Sequence, residues 1–141
     1  MRDILAVLAG WITGMVANML FTMFNLAMYP MPDGVDFGNN QGFAEYLDSL
    51  PGFAFLIILV AHLSQSFFGG LVAATISRKR PVAVAVIIGL LSMIGGLVNI
   101  QSIPLPTWMW IEIPLYPIVA LLAAKIILSF EKNLSLTKGQ S

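Results

Sequence analysis

The sequence contains no cysteine, a single histidine, and three long stretches, 4–32, 49–77 and 81–111, without one charged residue. The missing cysteines exclude disulfides, thiol catalysis, cysteine metal sites, palmitoylation and lipoprotein-type anchoring. A lone histidine, His62, cannot build a metal site by itself, and no thiolate can join it. It could offer one axial ligand to a macrocycle, but nothing else in the sequence supports that role. Charged residues make up 10% of the chain and hydrophobic ones 58%. A soluble domain of 141 residues has too little polar surface to cover such a composition, so the class is integral membrane. The short alternating segments of a transmembrane barrel are also missing.

What is present is four apolar stretches, 4–28, 53–76, 82–103 and 108–130. Each reaches the ~20 residues a helix needs to cross ~30 Å of hydrocarbon. The sequence therefore predicts an all-α membrane protein, a four-transmembrane-helix bundle forming one domain over residues 1–141. The first stretch is too long for a signal-peptide core, and Pro30, Met31, Pro32 and Asp33 after it are not a small-residue cleavage site. It is expected to stay as a span.

Charge orients the bundle. If the spans alternate, Arg2, Arg78, Lys79, Arg80, Lys125, Lys132 and Lys138 fall on one side, and Asp33, Asp36, Glu45 and Asp48 on the other. Basic residues favour the cytoplasmic face, so both termini and the "SRKRP" loop (77–81) are expected there. Arg78, Lys79 and Arg80 then act as the topology signal. Lys125 can snorkel to the headgroups, and Tyr29, Trp108 and Trp110 fall where an outer aromatic belt belongs. The expected location is a bacterial inner membrane, with the lipid bilayer as the first partner and no nucleic acid.

The outer loop, 30–51, begins with turn chemistry in "YPMPDGVDFGNNQG". It continues into "FAEYLDSLP", where Phe43, Tyr46, Leu47 and Leu50 recur at helical spacing. That pattern predicts a short amphipathic helix, ended by Pro51, lying in the headgroup layer or capping the bundle. The loop acids lack the alternation of an EF-hand, so a solvated loop is the simpler account.

Polar and small residues fall on one stripe of each span at ~100° per residue. The first span carries Gly10, Gly14, Asn18, Thr22 and Asn25, and the second His62, Gln65, Ser66, Gly69 and Ala73. The third carries Gly89, Ser92, Gly96 and Asn99, and the fourth Glu112, Tyr116 and Ala123. Small residues let helices approach closely and polar ones bond across them, so the stripes should face inward or toward another subunit. Ser64 points the other way, where its hydroxyl is expected to bond the i−4 carbonyl. Counting along the spans puts Asn18, His62 and Tyr116 in one layer of the outer half. Asn25, Asn99 and Glu112 form a second layer, with Glu112 about one turn from the interface, where ionisation is cheap. Pro114 and Pro117 should remove two backbone donors and kink or unwind the fourth span, with Asn99, Gln101 and the "SIPLPTW" connection close enough to compensate.

Two readings fit this cluster of Asn18, Asn25, His62, Gln65, Ser66, Asn99, Glu112 and Tyr116. It is either hydrogen-bonded glue that fixes helix register, or a ligand-binding site, since ionisable residues inside a membrane are functional candidates by default. No base–nucleophile pair stands at a telling spacing; Ser66 four residues from His62 is common by chance. The expected function is non-enzymatic: an accessory or structural subunit packing against itself or a larger membrane complex through its glycine faces. The alternative is a small oligomeric permease, channel, or lipid- or cofactor-binding membrane protein using the polar cluster, with the cofactor left unnamed.

"PDGVD" (32–36), "AHLSQSFFGGLVAA" (61–74), "GLLSMIGGLVNI" (89–100), "IPLPTW" (103–108) and "YP" (116–117) occur in that order. In these the chain resembles a family of small bacterial four-span membrane proteins with no assigned activity. The resemblance runs from the first span to the fourth and implies location and topology only. Gln65 and Ser66 stand where that pattern has a small residue. Small multidrug transporters fit badly, because they need a carboxylate within the first span. Dual-topology fluoride channels do not have so complete a charge bias, and quinone-reducing thiol oxidoreductases need cysteines.

Overall fold

The computed structural model describes residues 1–37 and 40–138 and is built of helices: α1 (Arg2–Met28), α2 (Asn40–Ser49), α3 (Gly52–Ile76), α4 (Pro81–Ser102) and α5 (Glu112–Lys138), with a 3-10 segment (Thr107–Ile111) before α5. Four helical segments are long and apolar enough to span a membrane. This is the all-α, four-span bundle that the hydropathy predicts. Pro81 starts α4 at its first turn, where a missing N–H costs nothing.

The centre is α3, which packs against α1, α4 and α5, while α1 rests almost wholly on α3. Composition explains this. Ala54, Ala61, Ser64, Ser66, Gly69, Gly70, Ala73 and Ala74 are all buried, so α3 is small-sided on more than one face. Ser64 therefore does not point to lipid. It is buried, and its hydroxyl donates to the Ala61 carbonyl at 2.7 Å, an i−3 rather than an i−4 bond.

The glycines act by size. A Cβ at Gly10 would lie 2.5 Å from the Gly69 carbonyl oxygen and 2.9 Å from Ala73 Cβ, and one at Gly14 would strike the Gln65 carbonyl. Gly69 meets Gly10 and Ile88, Gly89 meets Pro117 and Ala120, and Gly96 meets the Tyr116 ring. All these contacts lie within one chain. At the basic end α1 and α3 are latched: Arg2 Nε donates to the Ile76 carbonyl and Ser77 Oγ to Asp3 Oδ1, both at 2.6 Å.

The opposite end is capped. Helix α2 turns Phe43, Tyr46 and Leu47 inward against Phe55 and Met109, with Leu50, Ile103 and Leu105 packed around them. Each such side chain contributes ~1.5–3 kcal/mol on burial. The Tyr46 hydroxyl donates to the Tyr29 carbonyl at 2.5 Å, tying the cap to the end of α1. The turn leading in uses Gly34 at φ +81°, a backbone conformation that glycine adopts without penalty.

The proline expectation needs correction. Since α5 begins at Glu112, Pro114 lies in its first turn, where the N–H would have no helical partner anyway. Only Pro117 lies inside the helix, and α5 continues through it. The irregular segment is 103–111, before the prolines, and Gln101 is exposed rather than turned toward them.

Candidate functional site

The polar stripes meet in the outer half of the bundle. His62 lies ten residues from the outer end of α3, ~15 Å of rise, whereas Asn99 lies three residues from the end of α4, ~4.5 Å. Because these two residues touch, α4 stops roughly 10 Å short of the outer end of α3. Segment 103–111 and α2 fill that space with apolar side chains. The polar groups are thus sealed beneath a hydrophobic cap.

Under it, His62 Nδ1 lies 2.8 Å from Glu112 Oε2, and Asn99 Nδ2 lies 3.3 Å from His62 Nε2. With Nδ1–H donating to the Glu112 carboxylate, Nε2 is the acceptor, on which Asn99 makes a long hydrogen bond. The two layers expected from span counting therefore merge here. Glu112 is not near the interface in any useful sense: it is fully buried, against 12% exposure for the His62 side chain. Span counting missed this because the connection before α5 folds inward over the cluster. Tyr116, one turn along α5, lies in electrostatic reach of Glu112 and rests on Gly96.

A second pair completes the cluster. Asn18 Nδ2 donates to Gln65 Oε1 at 3.0 Å, and Thr22 Oγ1 donates to Asn18 Oδ1 at 3.1 Å. The first bond joins α1 to α3 above the Gly10 and Gly14 contacts, and the second, within α1, orients the Asn18 amide. Ser66 and Asn25 are buried as expected but do not join the bonded network; Ser66 Oγ, Asn25 Oδ1, Ser92 Oγ and Glu112 Oε1 have no partner among the described residues. A buried polar atom left so costs ~1–3 kcal/mol, so the cluster is not closed upon itself as glue alone would be.

Three cavities adjoin it. A polar cleft of about 320 Å³ between α1, α3 and α4 is lined by Asn18, His62, Gln65, Ser92, Asn99 and Tyr116. Its mouth is formed by Gly95, Val98 and Ser102, exposed residues on the side of α4. A pocket of about 180 Å³ lies under the cap, where His62 and Asn99 meet Asn25, Phe43, Tyr46 and Leu47. An apolar groove of about 650 Å³ runs along α1 from Ile12 to Leu26 and reaches Asn18 and Gln65 at its polar edge. His62 and Asn99 line the first two cavities; Asn18 and Gln65 line the first and third. The residues missed in the sequence are Gly95, Val98 and Ser102, and the paired glycines at 95 and 96 were the signal available for them.

Comparison with protein-family models, curated proteins and solved structures finds no match. The site must speak for itself.

Proposed function

We propose that the protein is a membrane binding protein that holds a small ligand in its outer-half polar cluster, with His62 as the principal contact. The observation that carries this is the setting of one imidazole. Glu112, fully buried, holds Nδ1, and the His62 side chain lines two cavities at once. A group orienting a ring nitrogen from behind is what a recognition residue needs. Helix register alone would need neither the cavities nor the unpartnered Asn25 Oδ1 and Ser92 Oγ of residues that line them.

The glycine faces, which favoured an accessory subunit, are filled from within the chain and so lend that role less support. The positive-inside distribution supports a cytoplasmic position for the basic end, with the cap outside. A bacterial inner membrane is proposed on the sequence motifs alone. No bond-making step is assigned.

The test is native mass spectrometry of protein released from its own membrane in mild detergent, comparing wild type with His62→Ala. A small molecule retained by the first and lost by the folded second supports the proposal. Retention of nothing by either, or of a protein partner in place of a small molecule, rejects it.

A further inference from the structure

The cleft also specifies the kind of ligand, and here the argument rests on the binding role just proposed. Three features restrict the chemistry. The first is depth. Asn18 lies eleven residues below Tyr29 at the outer end of α1, ~16 Å of rise, close to the middle of a ~30 Å hydrocarbon layer. A phospholipid keeps its headgroup at the interface, so a cleft at this level suits molecules that carry a polar group down among the chains.

The second is charge. Among the described residues the cleft contains no Lys or Arg, and Arg2, Arg78, Lys79 and Arg80 gather at the opposite end of the bundle. An anionic head would enter without a counter-charge and close to the carboxyl of Glu112. A cationic head would find no carboxylate on the wall, because Glu112 stands behind His62. What the wall offers is an imidazole nitrogen and the amides of Asn18, Gln65 and Asn99, with the hydroxyls of Ser92 and Tyr116. These are partners for a neutral hydroxyl or carbonyl.

The third is access. The cap closes the outer end, while Gly95, Val98 and Ser102 leave the side of the cleft open between α1 and α4. A Cβ at Gly95 would meet nothing within 4 Å. Asn18 and Gln65 then join this opening to the apolar groove on α1, whose lining from Ile12 to Leu26 covers ~21 Å. That exceeds the ~15 Å of one leaflet.

We infer that the ligand is an uncharged single-chain or isoprenoid lipid that enters sideways from the bilayer. Its hydroxyl reaches His62, Asn99 and Gln65, a carbonyl in its place would meet the Asn99 and Gln65 amides alone, and its chain lies in the α1 groove. An alcohol hydroxyl displaces the long Asn99 bond, donating to His62 Nε2 and accepting from the freed Asn99 amide or that of Gln65.

The experiment uses the full chain in nanodiscs of uncharged phosphatidylcholine. The probes are a photoreactive hexadecanol with a diazirine in its chain and the phosphate ester of the same alcohol, and peptide mapping locates the label. The alcohol should label the Ile12–Leu26 part of α1 saturably, and the phosphate at least about ten-fold less. Gly95→Phe places a ring at the mouth of the cleft, where its Cβ meets nothing within 4 Å, and should lower alcohol labelling about ten-fold without lowering thermal stability. His62→Ala should lower it too. Equal labelling by the phosphate overturns the neutral-head assignment. If Gly95→Phe labels as wild type while His62→Ala loses its native ligand, lateral entry is wrong and the pocket beneath the cap is the site, with the binding role intact. If neither variant changes labelling, the inference fails whatever the native ligand proves to be.

Discussion

Replacing glycines by alanine, one at a time, tests the packing most sharply, because the same chemical change should have opposite signs at different positions. In a helix interior the exchange gains ~1 kcal/mol from propensity. At Gly95 nothing lies within 4 Å of the new Cβ, so this gain stands alone and stability should rise by up to ~1 kcal/mol. At Gly10 the Cβ would sit 2.5 Å from the Gly69 carbonyl oxygen, against an ordinary contact of 3.4 Å or more. Helix α1 must then retreat by about 0.9 Å, the difference of those two distances. A gap of 0.5–1 Å forfeits about a quarter to a half of the dispersion energy of each contact it opens. Moved rigidly, α1 would also carry the Asn18–Gln65 bond, now 3.0 Å, past hydrogen-bond length. Overpacking of this kind costs ~1–3 kcal/mol, so the net change at Gly10 is a loss of up to ~2 kcal/mol. Gly89, whose Cβ would lie 2.7 Å from Pro117 Cα, should behave like Gly10; Gly70, with nearest atoms at 3.3 Å, should fall between. Reversible unfolding in mixed micelles measures the series, run at two protein-to-detergent ratios. Contacts within one chain give losses independent of that ratio, whereas contacts between subunits make them concentration-dependent. A neutral or stabilising Gly10→Ala, or a loss at Gly95, would refute the packing described here.

Three other outcomes are expected. His62→Ala removes the 2.8 Å partner of a fully buried carboxyl, and breaking a buried pair in this way costs ~3–5 kcal/mol. A double-mutant cycle with Glu112→Ala should give a coupling near ~2 kcal/mol, above the ~0.6 typical of polar pairs in membranes; additivity within ~0.5 kcal/mol would sink the pairing. Leu47→Ala empties a buried position in the cap and should cost ~2–5 kcal/mol, read as faster amide exchange in α2 with α1, α3 and α4 unaffected. Burial pushes the Tyr46 phenol above its ordinary value of 10.0, so its share of cap stability is complete below pH ~10 and is lost as pH rises through the shifted value. Amide exchange of α2 should therefore quicken with alkali beyond the chemical base rate in wild type and not in Tyr46→Phe, which is weaker by ~1 kcal/mol below pH ~10 and loses that deficit above it.

The sequence made the spans legible because apolar length is a one-dimensional quantity, and the helix ends fall within a residue or two of the expected ones in all but the last span. The cap was legible too: Phe43, Tyr46 and Leu47 repeat at helical spacing and all three are buried. The joint presence of His62, Asn99 and Glu112 in one cluster could be read from their stripes. Their depth could not. Span counting assumes that each helix ends at the same membrane level, and α4 does not, so Glu112 was placed near water when it lies beneath apolar cover. Ser64 was misplaced for a related reason. A stripe argument gives each helix one inner face, and α3, gripped by three neighbours, has more than one. The mouth of the cleft was hidden because Gly95 matters through what does not touch it, and pattern reading registers only contacts that would form.

The central position of α3 has a consequence for biogenesis. Membrane helices enter the bilayer one or two at a time and associate afterwards, in chain order as synthesis proceeds. When α3 arrives, α1 is already there to receive its Gly10–Gly69 seam, and Asn18 can take Gln65 at once. His62 has no such welcome. Its acidic partner is the first residue of α5, fifty positions further along the chain, so the imidazole waits through the making of α4 with only Asn99 to meet it. The fourth span thus supplies the carboxyl that holds the ring, and the His62–Glu112 pair comes into being only after all four spans have been made.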